Sequence, residues 1–179
     1  MSKNSNGHIL LLTGISGAGK TTLGKQIRKT WRRSSDSPIE LIDGDEARNF
    51  LQSNLGYTDE DRFLVTKIMA YAAKLLSKNG INVIFCNIAA KKKVRFFLHE
   101  CWDDYTYVFL DADISDCVKN DPRGVYKENM AKKKSSIVGI DIPYEKPEEA
   151  DLVVYTHKES ISDSHDRIIS LLKFRNILK

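Results

Sequence analysis

A glycine-rich octapeptide constrains this chain more than any other feature of its sequence. Residues 14–21 read Gly-Ile-Ser-Gly-Ala-Gly-Lys-Thr and match the pattern G-x-x-x-x-G-K-[ST] in full. The apolar residues 9–12 before it are typical of a buried parallel strand, and a helical pattern follows from about residue 19 to residue 33. Glycines in such a turn let backbone N–H groups surround phosphate oxygens, and the next helix offers its positive N-terminal end. The sequence therefore predicts a site for a nucleoside triphosphate.

Individual positions of this phosphate-binding loop predict distinct roles. Lys20 is expected to reach the β- and γ-phosphates, and the hydroxyl of Thr21 is expected to hold Mg²⁺. The other interpretation is a glycine-rich turn with a solvated lysine, and the position between a strand and a helix favours ATP binding over it. The predicted ATP-binding residues are Gly14, Ser16, Gly17, Ala18, Gly19, Lys20, Thr21 and Thr22.

The loop by itself does not separate kinases from GTPases and motor ATPases. The N-K-x-D pattern of a guanine-binding GTPase is absent from the sequence, and 179 residues are few for most motor ATPases. Residues 121–144 form a long polar stretch before the last predicted strand, and such stretches in compact domains are commonly functional lids. We therefore expect a small-molecule kinase whose lid covers about residues 121–144.

Strand and helix patterns alternate along the rest of the chain. The strands are predicted at residues 9–12, 39–42, 82–88, 105–110 and 152–155, and the helices at about 19–33, 46–51, 59–78, 91–101, 115–120 and 161–178. In the long helix, Ile68, Ala72, Leu75 and Leu76 recur at helical spacing and predict an amphipathic helix. Alternating units predict an α/β fold in three layers, with a mainly parallel sheet of about five strands. We expect residues 1–179 to form one kinase domain.

Composition excludes several other classes of protein. The 28 lysines and arginines against 24 acidic residues give a net charge of +4, too small to indicate nucleic-acid binding by itself. Cys86, Cys101 and Cys117 are odd in number and lack C-x-x-C spacing, which argues against a disulfide framework or a zinc ribbon. Neither a secretory h-region nor an apolar run long enough for a membrane span is present. The sequence predicts a cytoplasmic protein without nucleic-acid or membrane partners.

Two carboxylates follow the second predicted strand. Asp43-Gly44-Asp45 lies where that strand ends, and ligands of open parallel sheets bind at the carboxyl ends of the strands. Asp45 is predicted to be the base that accepts a proton from an attacking hydroxyl, and Asp43 to lie in the outer shell of the metal. The alternative interpretation is a turn whose Asp caps a helix that begins at Glu46. Both interpretations can hold together.

Several basic residues are candidates for binding anions. Arg48 and Arg62 can offer planar guanidinium groups to phosphate or sulfate, although each taken alone is typical of a surface arginine. The lysine runs at residues 91–93 and 132–134 are most simply interpreted as solvent-exposed surface. The second run lies in the expected lid and could screen triphosphate charge when the lid closes.

Five segments together resemble the adenylylsulfate (APS) kinase family, in order and along nearly the whole chain. The resemblance implies a P-loop kinase fold, Mg²⁺, and transfer of the γ-phosphoryl of ATP to the 3′-hydroxyl of APS, a nucleotide with a 5′ mixed anhydride. The segments are residues 14–22 (GISGAGKTT), 42–48 (IDGDEAR), 55–62 (LGYTDEDR), 121–127 (DPRGVYK) and 139–147 (GIDIPYEKP).

The resemblance also implies roles on the acceptor side. Arg48 and Arg62 would hold the anhydride end, and Tyr57 stands where a phenylalanine packs on the substrate base. Ile88 would line the same pocket, and Lys127 would enter the site from the lid as a further catalytic residue. Members of the family commonly form dimers, so a homodimer is a further expectation.

The sequence departs from the family pattern mainly on the side that recognises the acceptor base. Val65 replaces an asparagine, Ile137 replaces the lid phenylalanine that sandwiches adenine, and Ala89 replaces a serine. The family has basic residues two and three positions after residue 65, where Lys67 and Ile68 stand here. Lys67 keeps the positive charge, and Ile68 does not. Asn120 replaces a basic residue on the ATP side.

These departures leave alternatives to APS. Loss of an aromatic platform and of an amide weakens discrimination among bases. The acceptor could therefore be a non-adenine nucleotide, such as the cytidine diphosphoramidate of capsule biosynthesis. A catalytically silent nucleotide-binding domain is a third hypothesis, and the intact Lys20, Thr21, Asp43 and Asp45 argue against it.

Overall fold

The computed structural model describes residues 6–51, 55–121, 124, 126–127 and 137–179. Strands and helices alternate along these ranges, as the sequence predicts. The strands are β1 (Ile9–Thr13), β2 (Ile39–Asp43), β3 (Asn82–Asn87), β4 (Tyr105–Asp111) and β5 (Leu152–Tyr155). The helices are α1 (Lys20–Ser34), α2 (Gly44–Leu51), α3 (Asp59–Lys78), α4 (Lys92–Cys101), α5 (Ile114–Asn120) and α6 (Ile161–Phe174).

All five strands form one parallel sheet in the order β2-β3-β1-β4-β5. β1 lies at the centre, where Leu12 is in register with Cys86 of β3 and with Val108 of β4. Since the strands are parallel, the loops after β1, β2 and β3 lie at the same edge of the sheet. The predicted α/β class and strand number are confirmed, and the phosphate-binding loop lies beside the Asp43–Asp45 segment.

Alternate residues of the central strands pack into two separate cores. Leu10 and Leu12 of β1 face one core, which contains Ile27 and Trp31 of α1 and Ile168 of α6. Ile9 and Leu11 face the other core with buried residues of α3 and α4, namely Met69, Ala70, Ala73, Val94 and Leu98. Helices therefore cover both faces of the sheet, which gives the predicted three layers. None of the described helices is long and apolar enough to cross a membrane.

Two helix ends differ from the sequence-based expectation. α6 ends at Phe174 rather than near residue 178, because Asn176 adopts a left-handed backbone conformation with φ of 59°. α2 begins at Gly44 rather than Glu46, because the carboxylate of Asp43 accepts a hydrogen bond from the backbone N–H of Asp45 at 2.9 Å. The capping interpretation of this segment is thus confirmed, with Asp43 as the acceptor.

The bounds of α3 were predicted correctly, but its core-facing side was not. Thr58 and Asp61 form a capping box at its start, and Asn79 is its C-cap. Its buried residues are Val65, Thr66, Met69, Ala70 and Ala73, whereas Ile68, Ala72 and Leu75 are exposed and Leu76 is only partly buried. Small side chains on the buried face bring the helix close to β3, which apolar periodicity alone does not reveal. α3 therefore carries a second apolar face.

Candidate active site

The phosphate-binding loop depends on backbone conformations that side chains rarely adopt. Gly14 has φ of 147°, and a Cβ atom there would lie 2.6 Å from the carbonyl oxygen of Leu110. Gly17 has φ of 77° and packs on Cys117 of α5. Glycine is favoured at both positions because it tolerates positive φ and close approach of neighbouring backbone. The loop is therefore shaped by its own sequence and by the strand and helix beneath it.

Lys20 begins α1 and bends back over the loop. Its Nζ donates hydrogen bonds to the carbonyl oxygens of Gly14 at 2.8 Å and Ile15 at 2.7 Å. The side chain is largely buried, so its charge lies in a setting where it interacts strongly with an anion. The N-terminus of α1 adds a positive helix dipole at the same place. Lys20 is placed to interact with a phosphate in the loop.

Asp43, at the end of β2, links the phosphate-binding loop to the start of α2. Its Oδ2 accepts a hydrogen bond from the Thr21 hydroxyl at 2.5 Å, and its Oδ1 accepts one from the Asp45 N–H at 2.9 Å. One buried carboxylate thus fixes both the residue after the loop lysine and the first turn of α2. Asp45 itself is exposed and faces the cavity described next.

A cavity of about 200 Å³ brings most of the predicted residues together. It opens at the carboxyl edge of the sheet, between the phosphate-binding loop, α2, the start of α3 and the loop after β3. The predicted residues that line it are Ser16, Lys20, Thr21, Asp43, Asp45, Arg48, Tyr57, Arg62, Ile88 and Ile137. Val65 and Ala89, two of the departures from the family pattern, also line it.

A second cavity of about 210 Å³ lies on the other side of the loop. Gly17, Ala18 and Gly19 separate it from the first cavity, and Asn120 is part of its lining. Of the predicted residues, Gly14, Thr22 and Lys127 line neither cavity. Because the loop lies between the two spaces, a triphosphate bound by the loop can extend into either of them.

Two guanidinium groups meet on one aromatic ring. The Cζ atoms of Arg48 and Arg62 lie 4.8 and 5.4 Å from the centre of the Tyr57 ring. Arg48 donates to the carbonyl oxygen of Gly56 at 2.8 Å, and Arg62 Nε donates to that of Tyr57 at 3.1 Å. Burial, and then the charge of Arg48, lower the pKa of Arg62 from its ordinary value. An anion bound here would offset the repulsion between these two cations.

The loop after β3 is held by side chains that sequence reasoning did not single out. Ala89 has φ of 44°, a strained value for a residue with a Cβ atom. Asn87 accepts a hydrogen bond from the Ala89 N–H at 2.8 Å and donates one to Thr66 Oγ1 at 3.1 Å. Thr66 in turn donates to the carbonyl oxygen of Arg62 at 2.9 Å. A polar residue at the end of a central strand, Asn87, was the available signal for this network.

Arg95 of α4 supports the same loop from below. Only 4% of this side chain is exposed. Its NH1 donates to the carbonyl oxygens of Ala89 at 3.1 Å and Ala90 at 3.4 Å, and its Nε donates to Glu149 at 2.8 Å. An arginine two residues after a run of three lysines gives no sequence signal for burial, which is why it was missed.

Both ends of the expected lid contact the site. The buried Tyr126 donates its hydroxyl to the carbonyl oxygen of Ser16 at 2.7 Å, and Ile137 lines the first cavity. Beyond the lid, the backbone N–H of Glu145 donates to the carbonyl oxygen of Ala90 at 2.9 Å. The lysine run 132–134 lies outside the described residues, as do residues 122–123 and 125 of the family segment at 121–127. Lys127 is exposed, and its backbone N–H donates to Asp121.

Comparisons with known proteins point to one family. The family model for adenylylsulphate kinase matches residues 6–155. The adenylyl-sulfate kinase of Myxococcus xanthus is 33% identical over 178 residues, with 97% of this chain and 95% of that protein covered. The adenylyl-sulfate kinase of Clostridium acetobutylicum is 35% identical, with 96% and 86% covered.

Solved structures extend the likeness to three dimensions. The APS kinase of Mycobacterium tuberculosis, solved in complex with AMPPNP and APS, superposes with a TM-score of 0.86 at 28% identity. The superposition covers 94% of this chain and 98% of that one. A shikimate kinase from Acinetobacter baumannii, 18% identical with a TM-score of 0.63, shares the fold. On the family match and the relatives together, this chain belongs to the adenylylsulphate kinase family, whose members are phosphotransferases with an alcohol group as acceptor.

Proposed function

We propose that this chain transfers the γ-phosphoryl group of ATP to the 3′-hydroxyl of adenylyl sulfate, a step of sulfate activation. One observation carries the proposal: the phosphate-binding loop, the Asp43–Asp45 carboxylates and the Arg48–Arg62 pair are all brought to one edge of the sheet, around a single cavity. Phosphoryl transfer to a nucleotide with a 5′ anhydride requires a site for the donor phosphates, a proton acceptor and a site for the anionic end of the acceptor. The family membership supports the same reaction.

The donor half of the site, which consists of the phosphate-binding loop with Lys20, Thr21 and Asp43, positions the triphosphate. Backbone N–H groups of residues 14–19 and the ammonium of Lys20 would neutralise charge on the transferring group. The oxygens of Thr21 and Asp43, 2.5 Å apart, are hard donors that suit Mg²⁺, which commonly takes few protein ligands and several phosphate or water oxygens. Thr21 would bind the ion directly and Asp43 through its outer shell. When bound, Mg²⁺ supplies charge stabilisation to the phosphates.

The acceptor half of the site, which consists of Asp45, Arg48, Tyr57, Arg62, Ile88 and Ile137, supplies the catalytic base and orients the acceptor nucleotide. Asp45 accepts the proton of the 3′-hydroxyl as that oxygen forms a bond to the γ-phosphorus, and the bond from the γ-phosphorus to the bridging oxygen breaks to release ADP. Arg48 and Arg62 bind the charges of the 5′ anhydride. Tyr57, Ile88 and Ile137 surround the base, and the site is open to solvent at Tyr57, which is exposed.

Residues 121–144 act as a lid in this proposal, within one kinase domain that spans the chain. Support comes from Tyr126, which anchors one end to the phosphate-binding loop, and from Ile137, which lines the acceptor cavity at the other. Lys127 would act from this segment. Deleting residues 132–134 should raise ATP hydrolysis relative to transfer, because a closed lid excludes water. An unchanged ratio would contradict the lid role. The three free cysteines suit the reducing cytoplasm, where we place the enzyme.

The test is coupled ADP release with Mg-ATP and a panel of acceptors. The panel contains APS, cytidine diphosphoramidate, AMP, CMP and no acceptor, and phosphorus NMR locates the new phosphate. We expect rapid turnover with APS and a 3′-phosphate on the product. Faster turnover with the cytidine compound would overturn the proposal and make Val65 and Ile137 the residues that change specificity. ADP release that does not depend on any acceptor would contradict kinase activity altogether.

A further inference from the structure

The wall of the acceptor cavity contains an amide to which the phosphoryl-transfer step assigns no role. Asn87 ends β3, and its side chain contacts Thr66 of α3 and the backbone of Ala89. Asn87 and Thr66 both line the cavity. The apolar residues that line it with them are Val65, Ile88, Ala89, Ala90, Val94 and Ile137. A hydrogen-bonding group within an apolar wall is the kind of feature that orients a ligand and selects among ligands.

The orientation of this amide is fixed by its two neighbours. The backbone N–H of Ala89 donates to one amide atom at 2.8 Å, so that atom must be the oxygen, Oδ1. The other atom, Nδ2, lies 3.1 Å from Thr66 Oγ1. Thr66 donates its only hydroxyl hydrogen to the carbonyl oxygen of Arg62 at 2.9 Å, so it accepts from Asn87. Rotation of the amide by half a turn would set donor against donor at Ala89.

Half of the hydrogen-bonding capacity of this amide is left for a ligand. An asparagine amide has two donor hydrogens and an oxygen that accepts two hydrogen bonds. Among the residues that the structure describes, Ala89 uses one acceptor site and Thr66 uses one hydrogen. One donor and one acceptor remain on a rigid plane at the cavity wall. A ligand that uses both must carry a donor beside an acceptor.

Bases with an exocyclic amino group beside an unprotonated ring nitrogen carry this pair. Adenine and cytosine are such bases, and a bidentate pair with asparagine is the usual way in which proteins recognise adenine in DNA. Hypoxanthine and uracil carry the reverse arrangement, a keto oxygen beside a ring N–H. Because the amide of Asn87 is held in one orientation, a keto base would set oxygen against oxygen and hydrogen against hydrogen.

We propose that Asn87, held in place by Thr66 and Ala89, selects the base of the acceptor nucleotide and restricts it to amino bases such as adenine. Val65 stands where the family pattern has an asparagine, so an amide is lost from α3 and β3 supplies another to the same cavity. This inference rests on the proposed function for the reaction at the site, and it adds the side chain that chooses the base.

The test compares two acceptors that differ only at the edge of the base. They are adenylyl sulfate and inosine 5′-phosphosulfate, in which a keto oxygen replaces the amino group and the ring nitrogen N1 carries a hydrogen. For the unmodified chain, kcat/KM should be higher with the adenine compound by about 10- to 100-fold. Calorimetry with the ATP site filled by AMPPNP should give a similar ratio of affinities without turnover. Equal values for the two compounds would overturn the inference.

Asn87→Asp removes the selective donor and keeps the support of the loop. The new carboxylate can still accept from the Ala89 N–H, and Thr66 can turn its hydroxyl to donate to it. The adenine-to-hypoxanthine ratio should therefore fall to about one. Asn79→Asp, the same change at the exposed C-cap of α3, is the control and should keep the ratio. Circular dichroism confirms that each variant is folded.

A purely structural role for Asn87 predicts a different result. The Asn87→Asp variant would then lose activity equally with both acceptors and keep the ratio, which would overturn the inference. The design also separates this failure from failure of the proposed function. If the chain phosphorylates a cytidine compound in place of APS, the proposed function fails, and the same comparison is made with the uridine analogue. A cytidine preference that Asn87→Asp abolishes would support the role of Asn87, and equal use of the two would overturn it.

Discussion

The donor and acceptor halves of the site are built in different ways. In the donor half, the catalytic lysine is held locally, because Lys20 donates to carbonyl oxygens only five and six residues before it. The acceptor half is assembled across the chain, since Arg95 pairs with Glu149, 54 residues away, and the Lys92 N–H donates to Glu145, 53 residues away. A substitution at Lys20 should therefore change the chemistry, whereas a substitution at Arg95 should change the position and stability of the loop that it supports.

The most damaging single change is expected at Asp45, the proposed proton acceptor. Asp45→Asn keeps the shape of the side chain and removes the proton acceptor, so turnover should fall by about 10² to 10⁴-fold. ATP binding, measured by calorimetry, should be unchanged because Asp45 lies on the acceptor side of Asp43. Glu46→Gln is the matched control, an exposed acidic residue in the same turn of α2. Full turnover in the Asp45→Asn variant would show that Asp45 is not the proton acceptor.

Lys20→Met should have the next largest effect and a different signature. Turnover should fall by about 10² to 10³-fold, because a preorganised charge on the transferring phosphoryl group is lost. Unlike Asp45→Asn, this variant should also bind ATP more weakly, while its affinity for the acceptor is retained. Lys25→Met, an exposed residue of α1, serves as the control. Equal losses of ATP and acceptor affinity would mean that the two halves are not separable.

Arg95→Met tests the support of the acceptor half. Removing Arg95 takes a donor from the Ala89 carbonyl and from the Glu149 carboxylate, whereas the Ala90 carbonyl keeps the N–H of Glu145, so the free energy of unfolding should fall by about 1 to 3 kcal/mol. The KM for the acceptor should rise more than kcat falls, and the affinity for ATP should be unchanged. Lys92→Met on the same helix controls for loss of charge. A variant with normal acceptor KM would show that the loop after β3 keeps its position without Arg95.

The same contrast explains what the sequence could and could not predict. The phosphate-binding loop was predictable because its glycines and lysine lie within eight residues, and the bounds of α3 because Thr58 and Asp61 cap it locally. Arg95 and Thr66 were not predictable, since their roles depend on which distant segments meet them. The core-facing side of α3 was not predictable for a related reason: the apolar spacing of Ile68 and Leu75 is the same whether or not that face meets the core.

The smallest predicted effect is a gain in stability at Ala89. Its φ of 44° is strained for alanine by about 1 to 3 kcal/mol, and glycine avoids this at a cost of about 0.5 to 1 kcal/mol in the unfolded chain. Ala89→Gly should therefore raise the free energy of unfolding by about 1 kcal/mol and Tm by about 2 to 4 °C. Ala90→Gly, next to it and without positive φ, should instead lower Tm. If both variants lose stability, the loop gains nothing from relief of strain, and the contacts from Asn87 and Arg95 alone determine its conformation.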